Sequence, residues 1–432
     1  MVCTLSINAQ NFERFSNKQG FNQNTINAIE QDKYGFLWYA TPNGLIRYDG
    51  YDFETFTTQS KSNGTISSNN ITSLFNDDNG ILWIGTNVGV NVYVPSLERF
   101  YTIKLNSRIN IVKIAQDNNG FIWFSGNKDL HRIKIIDIVK GLFDVSENIL
   151  SADIVSKNLW INTFSIESKS SIILGTNEGL KRLKYQYENK KLEISITVFK
   201  DFNDKTITKI LKDEGIFWIG TSKGLYSSNL ETEENFILSK VNISDRKFDI
   251  SVNCIYKDQD KNLWIGTVAN GLLRYNPVLN SFKEFKYNPK NQNGISSHRI
   301  NAIYQDNFKV IWIGTAQGGI NKLDVNQKNF YNFGINPYNN FSLPDNLITS
   351  ILEDATGRIW VSGYNKKLSR TTAKINSSNV NSLSFENIEN SIPIENTDII
   401  RSIYQDDKGY IWLGSDEGIF VYNPKNDKFK RL

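Results

Sequence analysis

Short apolar stretches alternate with polar turns along this chain, always in one recurring order. An alternating strand ends in Asp, and a turn with Gly follows. Next come an apolar strand of the form Trp-Ile-Gly-Thr, a second Gly turn and a third strand. In the second copy, Ile71-Thr72-Ser73-Leu74-Phe75-Asn76-Asp77 reads as the first strand and Asp77-Asp78-Asn79-Gly80 as a tight turn. Asp side chains there bond backbone two residues on, and Gly accepts a positive φ. Ile81-Leu82-Trp83-Ile84-Gly85-Thr86 is the second strand, Asn87-Val88-Gly89 a turn, Val90-Asn91-Val92-Tyr93 the third strand and Arg99-Phe100-Tyr101-Thr102-Ile103 a fourth.

The marker Trp recurs at 38, 83, 123, 218, 264, 312, 360 and 412, and a ninth copy keeps Leu174-Gly175-Thr176 but has Ile173 in its place. Steps between markers run from 40 to 52 residues. Four short antiparallel strands at that period predict an all-β fold, a β-propeller of four-stranded blades. Helical repeats would show a period near 3.6 instead. Trp38, Trp83, Trp123, Trp218, Trp264, Trp312, Trp360 and Trp412 are read as structural core, packed between neighbouring blades. The Gly-Thr after each lets sheets approach closely. Some copies depart from the phrase. Glu167 replaces the Asp and Ser170 the Gly of the fourth, and the fifth is one residue short between Asp213 and Trp218. Lys261 and Lys309 stand at turn Gly positions, and the third and eighth copies lose the later Gly near Asp129 and Lys367.

Nine copies of strands one to three meet one more fourth-strand segment than they need. These segments include Phe12–Phe15, Phe53–Phe56, Phe282–Phe285, Phe330–Phe333 and Phe429–Leu432. An early strand that completes the last blade removes open edges. The expected division is therefore 1–10 as the remnant of a signal peptide, 11–328 as a seven-bladed propeller closed by Phe12–Phe15, and 329–432 as the first two blades of a second, truncated ring. On this count the chain reads as part of a longer protein. Met1–Gln10 resembles the tail of a secretory signal, with Ile7 and Ala9 before the cleavage point, although an ordinary terminus fits as well.

Composition narrows the chemistry. The 432 residues are 39% hydrophobic and 22% charged, with 49 basic against 45 acidic residues and a net charge of +4, so no nucleic-acid arm stands out. Cys3 and Cys254 are the only cysteines and His131 and His298 the only histidines, which excludes disulfide frameworks, CxxC sites and histidine-rich metal sites. Cys254 lies in an apolar strand and reads as a buried small residue. No stretch approaches the roughly 18 apolar residues of a membrane helix. No nucleophile elbow, P-loop or HExxH motif is present, and paired acids such as Asp77-Asp78 and Asp406-Asp407 are accounted for by turns.

The phrase resembles the two-component regulator propeller repeat of extracytoplasmic sensor regions in Bacteroidetes hybrid two-component systems. The copies Ile300–Asp306 with Trp312-Ile313-Gly314-Thr315, and Ile400–Asp406 with Trp412-Leu413-Gly414-Ser415, are especially close, and the lead-ins Ser67–Asn70 and Ser296–Arg299 fit too. The likeness spans about Phe12 to Leu432. It implies two seven-bladed propellers followed by an immunoglobulin-like domain, a membrane span, a kinase module and a regulator, in receptors that respond to glycan breakdown products as dimers. No kinase motif, span or regulator lies in this chain, so only the sensor part carries over, without enzyme activity and without a cofactor. The expected location is periplasmic or extracytoplasmic, tethered to the membrane in the full-length protein. Expected partners are an oligosaccharide or other small ligand, the C-terminal remainder of a sensor kinase and a homodimer mate.

A ligand site is expected on the face made by loops joining fourth strands to next first strands and second strands to third. Sugars need planar polar groups and an aromatic face. Asn24, Asn69, Asn70, Arg108, His298 and Arg299 supply the first, and Trp160, outside the Trp register, and Phe341 the second. Two alternatives remain. One is a protein-interaction scaffold. The other is an enzyme similar to streptogramin lyases, which need a histidine base and a metal-holding acid in the central channel. Of the two histidines, His131 looks structural and His298 is better placed.

Overall fold

The computed structural model describes residues 12–432 except 16–19, 61–63, 104, 106, 127, 136–152, 157–158, 189–190, 230–236, 242–249, 325–332, 335–341, 344, 365–367, 375–383, 389–398, 424–425 and 427. The signal-like terminus, most of Phe330–Phe333, Phe341 and Lys367 fall outside this set.

The described chain forms nine four-stranded antiparallel sheets, the blades of a β-propeller fold. Blade 2 is built from Ile71–Asn76, Leu82–Thr86, Val90–Val94 and Arg99–Ile103, paired in that order. Its turns follow the expected chemistry. Asp77 Oδ1 accepts the backbone N–H groups of Asn79 and Ile81, and Gly80 sits at φ 76°. Lys261 and Lys309 hold the same left-handed turn position at φ 65° and 66° without being glycine, a strain the rest of the turn must bear.

The chain divides into two compact units, Gln10–Val325 and Asn326–Leu432. In the first, seven blades close into a ring. Their innermost strands are Ala28–Gln31, Ile71–Asn76, Lys113–Gln116, Ile161–Ser168, Ile207–Asp213, Val252–Lys257 and Ile300–Gln305. Each packs against the next, and the last returns to the first. The Ile26 N–H donates to Thr315 O at 2.9 Å across that join. Blade 7 takes its outer strand from the other end of the chain: Glu13–Phe15 pairs with Ile320–Asp324, Glu13 opposite Lys322 and Phe15 opposite Ile320. Arg14 fastens it, donating to Gly294 O at 2.9 Å and Asn291 O at 2.7 Å. Phe12 packs on Phe285 of blade 6, while Phe15 meets Trp312 of blade 7 and Tyr48 of blade 1.

One polar clasp recurs inside the apolar core. The second carboxylate oxygen of the turn Asp accepts the indole N–H of the marker Trp at 2.8 to 2.9 Å in Asp32–Trp38, Asp77–Trp83, Asp117–Trp123, Asp258–Trp264, Asp306–Trp312, Asp354–Trp360 and Asp406–Trp412. Arg47, Arg132, Arg274 and Arg370 lie over Trp38, Trp123, Trp264 and Trp360 from the cross-strand position. Each such indole thus has its polar edge satisfied and a cation on its face. The departing copies lose the clasp. In the shortened blade 5 turn the Trp218 indole N–H is buried without an acceptor, and Asp213 pairs with Lys257. In blade 4, Glu167 pairs with Arg182 at 2.7 Å.

Close approach explains the Gly of each second strand. A Cβ on Gly85 would fall 2.7 Å from Ile111 of the next blade.

Blades 8 and 9 pair with each other, their first strands being Ile348–Glu353 and Ile400–Gln405. Their outward faces lack the cover that neighbours give in the ring. Ile351 is 64% exposed where its counterpart Ile303 is 8% exposed. Trp412, expected in the core with the other seven markers, is for the same reason only partly buried.

The clasp makes a stability prediction. Asp77→Asn keeps an oxygen for the turn but sets an amide donor against the Trp83 N–H. Chemical denaturation should show a loss of about 1–3 kcal/mol. Trp218→Phe removes no hydrogen bond and should cost clearly less than Trp83→Phe, which strips Asp77 of a donor.

Candidate functional site

Two groups of residues converge where the ring brings seven blades together. The first is the predicted loop face. The fourth-to-first loops and second-to-third turns do share a face: Asn87 N–H donates to Asn70 O, Ala316 N–H to Arg299 O and Leu159 N–H to Lys128 O. Asn24, Asn69, Asn70, Arg108, Trp160, His298 and Arg299 all lie in these loops, over the arc from blade 6 round to blade 4. Phe341 is outside the described residues.

The loop residues differ in what they have free. The Asn69 carboxamide oxygen accepts the Thr58 N–H at 2.8 Å, so it braces its loop. Asn70 is partly buried, and its backbone carbonyl holds the neighbouring turn. Asn24, Arg108, His298 and Arg299 are exposed, and His298 meets the Tyr287 ring edge-on at 4.9 Å. Trp160 is 50% exposed, with the Lys128 ammonium 5.3 Å from its ring centre. The loops thus offer one accessible indole and several separated polar groups; no two of these candidates bond one another's side chains in the described structure.

The second group was not foreseen. Each innermost strand but those of blades 1 and 3 begins with a β-bulge, for example between Ile71 and Ser73 and between Ile300 and Ala302. The side chain at this position, bulged or not, reaches the next blade in five blades: Asn27 donates to Ile71 O, Thr72 to Ile111 O, Asn162 to Ile207 O, Asn253 to Ile300 O and Asn301 to Ile26 O. Immediately after this position come Ala28, Ser73, Lys113, Thr163, Lys209, Cys254 and Ala302. Two lysines therefore stand where the other five blades have small residues. Two positions further on are Glu30, Tyr256 and Tyr304.

Burial and mutual charge shift several of these groups. Burial pushes the Glu30 carboxyl up to about 8, against a lowering by the charge of Lys113 and a hydrogen bond with Tyr304. Burial, then the like charge of Lys209, brings Lys113 down to about 8. Lys209 is also lowered by burial, and Tyr304 is raised by burial and by Glu30. Cys254 is pushed up to about 12 by burial, which makes it an unreactive thiol. Comparing the residue after the bulge across copies would have found both lysines in the sequence.

The two histidines lie elsewhere. His131, in the third strand of blade 3, is buried and stacked on Phe124 at 5.3 Å, and burial lowers its pKa. His298 is a loop residue. Neither stands on an innermost strand, where the lyase-like reading needs a base.

Comparison with known proteins agrees with this architecture. A family model described as the two component regulator propeller matches residues 20–43, 65–88, 248–269, 294–317, 342–365 and 394–417. The extracellular domain of a hybrid two-component system from B. thetaiotaomicron superposes with TM-score 0.60 at 25% identity, over 98% of this chain and 54% of that one. A second such domain from B. thetaiotaomicron gives 0.57 at 21% identity, over 98% and 53%. A histidine kinase P4 of Formosa agariphila is 36% identical over 67 residues, 15% of this chain and 5% of that protein. The fold is a β-propeller, and repeats within it match the regulator-propeller motif. This chain carries matches to the two component regulator propeller repeat and resembles the extracellular domains of hybrid two-component systems. It spans about half the length of the extracellular domains it matches. Virginiamycin B lyase from Staphylococcus aureus shares the fold at TM-score 0.54 and 13% identity, over 73% of this chain and 99% of that one, a likeness of fold alone. Among the described residues no helix is long and apolar enough to cross a membrane.

The axial acid predicts a pH dependence. Between the ordinary 4.5 and about 8, folded Glu30 keeps a proton that the unfolded chain gives up, so stability falls as pH rises through that window. Lys113 works oppositely between about 8 and 10.5. Glu30→Gln should remove the first decline, and its Tm advantage over the native chain should widen from pH 5 to pH 8. An unchanged gap would refute the assignment.

Proposed function

We propose that this chain is the ligand-sensing, extracytoplasmic part of a two-component signalling receptor of the hybrid histidine kinase type, and that its ligand is an oligosaccharide. In this reading residues 11–328 are one propeller and 329–432 are blades of a second, in a periplasmic region tethered to a membrane and joined to a kinase. The observation that carries the reading is Trp160: a half-exposed indole in a fourth-to-first loop, outside the repeated core register, on the face where the exposed polar candidates lie. An aromatic face takes the C–H surface of a sugar, and exposed Asn, Arg and His side chains take its hydroxyls.

A second reading, a protein-interaction face, has its own observation. Tyr34, Phe308, Tyr51, Val278 and Leu279 are exposed on first-to-second and third-to-fourth turns of blades 6, 7 and 1, the end of the ring opposite the predicted loops. Neighbouring exposed apolar residues of this kind mark contact surfaces, and a homodimer mate would fit there.

Thermal shift against plant, host and microbial oligosaccharides tests the first reading, since a ligand well above its Kd raises Tm by mass action. A hit should weaken at least tenfold in Trp160→Ala with little change in the ligand-free Tm. A panel without any shift, or a hit indifferent to Trp160, would move weight to the interaction face. In that case Phe308→Ser with Val278→Ser should abolish self-association in sedimentation experiments.

A further inference from the structure

The residue after the bulge is small in five blades for a packing reason. A Cβ on the second-strand Gly would crowd it: Gly85 lies against Ser73, Gly266 against Cys254 and Gly314 against Ala302. Lys113 and Lys209 break that rule in blades 3 and 5. Both are partly buried, and neither makes an ion pair or side-chain hydrogen bond among the described residues. In the same two blades the side-chain link to the next blade is missing. Val112, before Lys113, has no polar group to offer, and the Thr208 hydroxyl, before Lys209, is buried without a partner. Between them in blade 4 the Thr163 hydroxyl is also buried and unpartnered. From other blades Glu30 faces Lys113 and Cys254 faces Lys209, while Tyr304 lies against Glu30. Burial pushes the Glu30 carboxyl up, so it competes less for the lysine charges than an ordinary carboxylate would.

We propose that the axis of the seven-bladed ring binds an oxyanion group, a carboxylate or a sulfate, between the ammonium groups of Lys113 and Lys209. Two like charges held near each other without a counter-ion destabilise the fold, and a bound anion relieves that repulsion while accepting charge-assisted hydrogen bonds. The anion is either a free inorganic ion or the acidic group of a sugar acid. The site goes beyond the oligosaccharide reading, which concerns the loop face, and it stands or falls separately.

The test uses the whole chain. Tm is followed during titration with sodium sulfate against sodium chloride at matched ionic strength, and with sodium glucuronate against glucose. The native chain should show a saturable rise with sulfate or with glucuronate, and none with chloride or glucose. Sulfate alone identifies a free anion and glucuronate alone a sugar acid. The double variant Lys113→Met, Lys209→Met should shift the midpoint at least tenfold, while Lys290→Met, at an exposed lysine, should leave it in place. Each single Met variant should give part of the shift, which keeps the test valid if the double variant fails to fold. No saturable response beyond chloride and glucose, or a response unchanged in the lysine variants, would overturn the site and leave only solvated lysines.

Discussion

A four-stranded blade has two broad apolar faces and two strand edges, and it can cover none of them alone. Closing the ring is therefore the constraint on which the rest of Gln10–Val325 depends. Each blade buries both faces between neighbours, and the strand Glu13–Phe15 supplies the missing edge of blade 7 from the start of the chain. Phe12 and Phe15 add a packing seam that reaches blades 6, 7 and 1. Closure also creates whatever function this unit has. It brings the loops onto one face and sets Glu30, Lys113 and Lys209, far apart in sequence, round a common axis. Blades 8 and 9 show the contrast, since residues such as Ile351 stay exposed where the ring would cover them.

Within each blade the Asp–Trp clasp lets a large indole sit in an apolar interface with its one polar atom satisfied. A single Asp serves the turn with one oxygen and the core with the other, so turn geometry and interface packing are fixed together. Burial raises the Asp77 carboxyl, while Trp83 and the backbone donors hold it down. Blades 4 and 5 fold with the clasp replaced or broken, so neighbouring blades carry them.

Much of this was legible because the period repeats. The strands of blade 2, the tight turns, the closing segment at Phe12–Phe15 and the burial of seven marker Trp residues follow from spacing and turn chemistry. The second duty of the turn Asp was hidden because the turn already gave a sufficient reason for it. The Asn69 carboxamide oxygen is held by the Thr58 backbone, a contact set by loop shape, which leaves its amide N–H groups as what it can offer a ligand. Trp412 was expected in the core, but burial depends on a neighbour, which a repeat count cannot supply. The axial lysines escaped notice because each looks ordinary alone. They stand out only when copies are aligned past a bulge that interrupts strand alternation.

The central claim is closure, and a disulfide reads it most directly. Glu13 and Lys322 lie opposite each other across the closing pair. Cysteines there can be placed in a chain carrying Cys3→Ser and Cys254→Ser; Ser73 occupies the place equivalent to Cys254 in blade 2. Mild oxidation of the folded protein should give an intramolecular crosslink in nearly every molecule and raise Tm. A folded chain that forms no crosslink, or only crosslinks between chains, would contradict the closed ring.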